Sequence, residues 1–183
     1  SLKDFKEVVV FDSGSKDKTE EIVKSYDNTI LYRGDFLGFG ETKNYAVSLA
    51  SNDWVFSLDA DELLSDDLIS HLKSIDLQPK IVGKTLRKNF FLGKEITTAG
   101  WGRDKIIRLF NRTEFYFSDR KVHEKVEVDK SANIIDLRGF LKHDALNNLS
   151  ETLEKANLYS ELYANENEKS YPIIFILIKS FYA

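Results

Sequence analysis

Apolar residues follow two rhythms along this chain. In residues 7–11 (EVVVF) they run unbroken and β-branched, which predicts a strand buried on both faces. Residues 29–32 (TILY) and 53–58 (DWVFSL) predict two more strands. Between them the spacing turns helical. Ile22, Val23 and Tyr26 mark a helix over 17–26, with Asp17 or Ser15 as its cap. Tyr45, Ala46, Leu49 and Ala50 predict an inward face over 40–50, and Ser65 precedes a helix over 66–74. Strand, helix, strand, helix, strand with short loops predicts an α/β fold, a mostly parallel sheet flanked by helices.

After residue 80 the pattern changes. Residues 80–88, 89–96, 104–110, 122–128 and 134–142 predict strands and hairpins. Leu149, Leu153, Ala156, Ser160 and Tyr163 share one face of a helix over 150–167. No repeat or linker interrupts this order, so 1–183 reads as one domain. Its parts are 7–75, 80–148 and a C-terminal helical part, 149–183.

Composition narrows the chemistry. The 183 residues are 42% hydrophobic and 31% charged, enough for a sizeable core. A net charge of −4 with both signs mixed argues against nucleic acid as the main partner. The absence of cysteine excludes disulfides and thiolate metal sites and suits a reducing compartment. The start carries no methionine and no secretory signal, so the chain reads as a piece of something longer. The apolar run Ile173–Ile178 falls short of the about 20 residues that cross a bilayer. It is a helix packed on the core, a subunit contact, the start of a longer membrane helix, or part of a segment over 172–182 that lies on a membrane surface. Nothing in the sequence specifies an oligomer.

In parallel sheets ligands bind beyond the carboxyl ends of the strands. Two predicted strands end in acids there. The stretch VFSLDADE closes on Asp59, Asp61 and Glu62. Asp59 and Asp61 flank a small alanine and offer hard oxygen ligands suited to Mg²⁺ or Mn²⁺. The plainer alternative is the polar start of a helix. A calcium loop is excluded, because Leu63 and Leu64 stand where an oxygen ligand and a glycine are needed. The other strand runs into Asp12-Ser13-Gly14-Ser15, which is either a simple turn or a loop that lets backbone approach a ligand. Gly38-Phe39-Gly40-Glu41-Thr42-Lys43-Asn44 opens the second helix. Lys43 there either neutralises a phosphate or is simply solvated.

Together these segments resemble glycosyltransferase family 2, inverting sugar transferases of the GT-A fold. EVVVFDSGSKDKTEEI is similar to that family's "VVDDGSTDGT" loop. GETKNYAVSLASNDWVFSLDADE is similar to its "ARNxG" segment and the L-D-x-D that follows. The later stretches LRKNFFLGKEI, TTAGWGRDKIIRLFN, KVHEKVEV and GFLKHDALNNLSETLEKANLYSELYA resemble the bacterial branch that glucosylates the lipopolysaccharide core. One departure stands out. Family members open with a strand reading roughly "S-V-V-I-P-T-Y-N-E" and a helix, and neither is present here. The sheet is therefore expected to lack its first strand beside residues 7–11, leaving an apolar edge.

The resemblance implies roles. Residues 7–75 would bind a nucleotide sugar, with UDP-glucose the expected donor, and 80–148 would face the acceptor. Asp12, Ser13, Gly14, Lys43, Asn44 and Asp59 would contact the nucleotide. Asp59, Asp61 and His143 would hold Mg²⁺ or Mn²⁺. Glu124 would be the general base, with Asp104 the second candidate. Trp101 and His123 would meet a glycan or lipid-linked acceptor, though a strand context sets His123 and Glu124 on opposite faces. Arg108 reads as a salt-bridging scaffold residue. The implied activity transfers a hexose to a lipopolysaccharide or other cell-envelope glycan, in the cytoplasm at the inner face of the bacterial plasma membrane. The rivals are a nucleotidyltransferase on a related sheet and a truncated nucleotide-binding fragment.

Overall fold

The structure, a computed structural model, describes residues 1–98, 102, 104–119, 124–146 and 157. Chain order is β1 (Val8–Asp12), α1 (Thr19–Lys24), β2 (Thr29–Arg33), α2 (Phe39–Ser48), β3 (Trp54–Phe56), β4 (Glu62–Leu64) and α3 (Asp66–Ser74). Then come β5 (Ile81–Phe91), β6 (Lys94–Glu95), β7 (Asp104–Asn111), β8 (Tyr116–Phe117), β9 (Val126–Glu127) and β10 (Asn133–Leu146). The expected helix over 150–167 and the segment 172–182 lie outside the described residues, as do Trp101 and His123.

The α/β class holds, and the pairing is mixed. β1 and β2 are parallel, as are β5 and β10. The larger sheet runs β3-β7-β5-β10-β4, with β6 beside β5, and its other ladders are antiparallel. Among the described residues β1 pairs only with β2 and β3 only with β7, so the sheet is interrupted beside residues 8–12.

Neighbouring strand residues point to opposite faces, and both faces of the larger sheet are covered. Leu109 joins Leu64, Leu68, Leu137 and Leu141 in one cluster, with Trp54 and Phe56 packed against it. Phe110 joins Val82, Phe115, Phe117 and Val126 in the other, with Val47 of α2 and Val55 against it. Burial on both faces accounts for the apolar Trp54–Phe56 of β3, whereas β5 and β7 carry charged residues between their buried positions.

Local chemistry explains the elements that frame the site. Ser65 caps α3 by accepting the Leu68 N–H at 3.4 Å, and it also accepts the Phe140 N–H of β10 at 3.0 Å. Asp66 and Asp67 complement the helix N-terminus. At Gly139 the register of β10 against β5 shifts, with φ of +87°. A Cβ there would stand 2.4 Å from the Leu68 nitrogen. Only glycine lets β10 kink this close to α3.

Three local expectations change. Residues 80–96 form one long strand and a short return, not two separate strands, because Leu92 (φ +47°) and Gly93 (φ +78°) make a two-residue hairpin loop. Residues 62–64 pair with β10 as a strand rather than starting a helix. Helix α1 covers only 19–24 and buries no residue, so Ile22 and Tyr26 stay largely exposed. Asp17 binds the Thr19 N–H at 3.0 Å just before that helix.

Gly139→Ala combines a left-handed backbone with a backbone clash. It should destabilise the chain by about 1–3 kcal/mol or more. An unchanged urea midpoint would contradict the kink described here.

Candidate functional site

Two acidic strand ends meet at one rim. At the start of β1, the Glu7 carboxylate accepts the Ser51 N–H at 3.0 Å and the Asn52 amide at 3.2 Å, just before β3. At the other end, Phe11 of β1 packs edge-on against the half-exposed Tyr45 of α2, with ring centroids 5.3 Å apart. Two residues earlier on α2, Lys43 reaches Asp59 beyond the end of β3. Strands β1 and β3 therefore point the same way, and Asp12 and Asp59 both open near the N-terminal end of α2.

Around Asp59 the charges alternate. Lys43 Nζ lies 2.8 Å from Asp59 Oδ1 and 2.6 Å from Glu124 Oε1. Arg108 Nη2 lies 2.6 Å from Asp59 Oδ2 and 2.7 Å from Glu62 Oε1. Glu62 is 3% exposed, and its Oε2 accepts the Asp59 N–H at 3.0 Å. Arg87 follows, 3.6 Å from Glu62 and 2.6 Å from Asp104. Burial pushes the Asp59 carboxyl up, but Arg108 and Lys43 outweigh it and hold the group down at about 2. The reading of Arg108 as a scaffold cation agrees with this geometry. Asp104 is clamped by Arg87, and Glu124 is paired with Lys43.

Asp61 turns elsewhere. Its Oδ2 lies 3.4 Å from His143 Nε2, and hydrogen bonding from His143 in its imidazolium form lowers the Asp61 carboxyl from the ordinary range against burial and the charge of Asp59. His143 sits opposite Glu62 across β4–β10 and opposite Asn89 across β5–β10. Its Nδ1 is 2.7 Å from Asn89 Oδ1. The structure thus brings Asp61 and His143 together, while both oxygens of Asp59 are engaged by cations. Among the described residues no three acid or histidine side chains form a metal-holding group.

Asp12 forms the floor of a separate pocket on the same rim. Its Oδ1 accepts the Ser15 N–H at 2.8 Å and the Gly14 N–H at 3.2 Å, and bonds from Ser15 and Gly14 hold its carboxyl below the usual range. Its Oδ2 is buried without a hydrogen-bond partner among the described residues, although the Arg33 guanidinium lies 3.5 Å away. Residues 12–15 and 33–35 line a pocket of about 390 Å³. Gly14 has φ of +114°, which this loop needs. Ser13 is exposed there.

Asn44 lies beside the site but is spent on backbone. Its amide donates to the Phe117 carbonyl at 2.9 Å and accepts the Phe117 N–H at 2.7 Å, which fastens α2 to β8. Sequence reasoning missed Arg33, Glu62, Arg87 and Asn89. Glu62 was visible beside Asp61, and Arg33 at the end of a predicted strand. Arg87 and Asn89 alternate along a strand, but only register shows what they touch.

Arg108→Met would leave Glu62 buried without its cation and remove one of the two from Asp59. The expected cost at pH 7 is about 3–5 kcal/mol by urea unfolding. The Asp59 contribution in the parent has a defined sign. A depressed carboxylate stabilises above its unfolded pKa of about 3.9 and loses that stabilisation as pH falls toward 2. A loss under about 1 kcal/mol would count against the network.

Comparison with known proteins identifies the family. The family model described as glycosyl transferase family 2 matches residues 1–122. The lipopolysaccharide core biosynthesis glycosyltransferase LpsC of Rhizobium meliloti is 30% identical over 179 residues, covering 93% of this chain and 65% of that protein. An uncharacterised glycosyltransferase of Rickettsia typhi is 28% identical over 171 residues, 87% of this chain and 58% of the relative. A TPR repeat-containing protein of Synechococcus elongatus is 33% identical over 130 residues, 69% of this chain and 30% of its own length. The chain thus spans 58 to 65% of the length of the two glycosyltransferase relatives. With two acid-tipped strands on one rim and this match across the first two thirds of its length, the chain belongs to glycosyl transferase family 2, whose architecture is the GT-A fold.

Proposed function

We propose that this chain carries the donor site of a metal-dependent, inverting glycosyltransferase that moves a hexose from UDP-glucose to a lipopolysaccharide-core or related cell-envelope glycan. The observation that carries the reading is the buried Oδ2 of Asp12, which has the Arg33 guanidinium 3.5 Å away but no hydrogen-bond partner among the described residues, in a pocket on the rim that also holds Asp59 and Asp61. A carboxylate acceptor beside the Arg33 guanidinium donor complements the N–H and carbonyl edge of uracil. The acceptor class rests on the printed role of LpsC alone.

Asp61 and His143, one carboxylate and one imidazole, would hold a divalent ion there, leaving room for further oxygen ligands. When bound, such an ion neutralises charge on the leaving diphosphate. Asp59 supports the site through Lys43 and Arg108 rather than as a direct ligand. Glu124 accepts the proton of the acceptor hydroxyl as that oxygen bonds to the anomeric carbon. The opposite bond, from the anomeric carbon to the diphosphate, breaks with its electron pair on the nucleotide. For this Glu124 has to part from Lys43, whose ammonium then faces the diphosphate. No described helix is long and apolar enough to cross a membrane. An acceptor at the inner face of the bacterial plasma membrane, with the nucleotide sugar supplied from the cytoplasm, completes the proposal.

Calorimetry with UDP, CDP, ADP and GDP in the presence of Mn²⁺ tests the pocket. UDP should bind tightest, and Asp12→Ala should weaken it about tenfold or more. Equal binding of all four nucleotides would refute the uracil reading. Glu124→Gln should leave UDP binding intact and lower kcat about 10²–10⁴-fold. Unchanged turnover would remove Glu124 from the mechanism.

A further inference from the structure

Asn89 is a polar side chain with only 2% exposure near the C-terminal end of β5. It takes no part in the roles given above to the strand-end acids. Buried amides are costly unless they bond, and this one bonds a functional imidazole. The parallel register of β5 and β10 sets Asn89 directly opposite His143. The contact joins Asn89 Oδ1 to His143 Nδ1 at 2.7 Å. A carbonyl oxygen only accepts, so Nδ1 carries the hydrogen and donates. In the neutral ring the lone pair is then on Nε2, the nitrogen 3.4 Å from Asp61 Oδ2.

We propose that Asn89 is a positioning residue: by holding the Nδ1–H of His143 it fixes the ring's tautomer and orientation, so that Nε2 offers its lone pair to a divalent cation shared with Asp61. This rests on the reading of Asp61 and His143 as the cation pair. Outer partners of this kind typically change metal affinity about 10–100-fold when removed. Asn89 differs from the groups around Asp59 in having no charge. It aims the ligand without competing for the ion.

Nitrogen-15 NMR of the imidazole, recorded on the metal-free chain at alkaline pH, reads the tautomer without any reference to turnover. The Nδ1–H form is expected in the parent chain and in Asn89→Asp, which keeps an acceptor oxygen. Asn89→Leu should show a mixture of forms. Mn²⁺ affinity, measured by electron paramagnetic resonance, should fall about 10–100-fold in Asn89→Leu and stay within a few-fold in Asn89→Asp. An Nε2–H form in the parent overturns the proposal even if Mn²⁺ binds. So does an Asn89→Leu variant with unchanged tautomer and affinity. If the parent shows the Nδ1–H form yet binds no Mn²⁺, the cation pair itself is wrong, and the service of Asn89 to an ion falls with it. Should Asn89→Leu not fold, the parent tautomer and the Asn89→Asp affinity decide the matter.

Discussion

A guanidinium at 4% exposure has to replace its hydration from within the protein, and Arg108 does so with two carboxylates. Its Nη2 sits between Asp59 Oδ2 and Glu62 Oε1, and the second oxygen of Glu62 holds the Asp59 N–H. The turn after β3 is thereby tied to β7 from both its backbone and its side chains. Its shape follows from the burial of that one cation. Asp59 is committed to Arg108 and Lys43, and Asp61, two residues on, is left to face His143.

The neighbouring charges follow the same constraint. From Glu124 through Lys43, Asp59, Arg108, Glu62 and Arg87 to Asp104, four acids alternate with three bases. Adding Asp61 leaves the rim short of positive charge. A diphosphate approaching such a rim meets net repulsion unless a cation comes with it. That deficit is the electrostatic reason for reading Asp61 and His143 as a seat for a divalent ion. Neutral Asn89 is then the natural way to orient a ligand there.

Much of this was legible before any geometry. Helix 66–74 was readable to the residue, because Ser65, two first-turn acids and Leu68 are local signals that tertiary packing did not override. Asp12 and Asp59 were legible as acids at or just beyond strand ends because mostly apolar runs stop at them. What each acid touches was not legible. Asp59 and Arg108 are 49 positions apart, and they meet only because β3 pairs antiparallel with β7. Asn89 and His143 are 54 positions apart and meet through one particular register. The family resemblance puts Asn44 at the nucleotide, and no local signal shows that its amide makes two hydrogen bonds with the Phe117 backbone, 73 positions away. Strand β4 was hidden because three residues are too few to show alternation.

The central claim is that the buried Arg108 and the partly buried Lys43 fix Asp59 so firmly that it stays ionised where an ordinary aspartate would not. Carbon-13 NMR of the labelled Asp59 carboxyl across an acid titration tests this directly. The account predicts a carboxylate still ionised at pH 3, with a midpoint near 2. A midpoint near 3.9, the value of an unpaired aspartate, would show that Arg108 does not hold it.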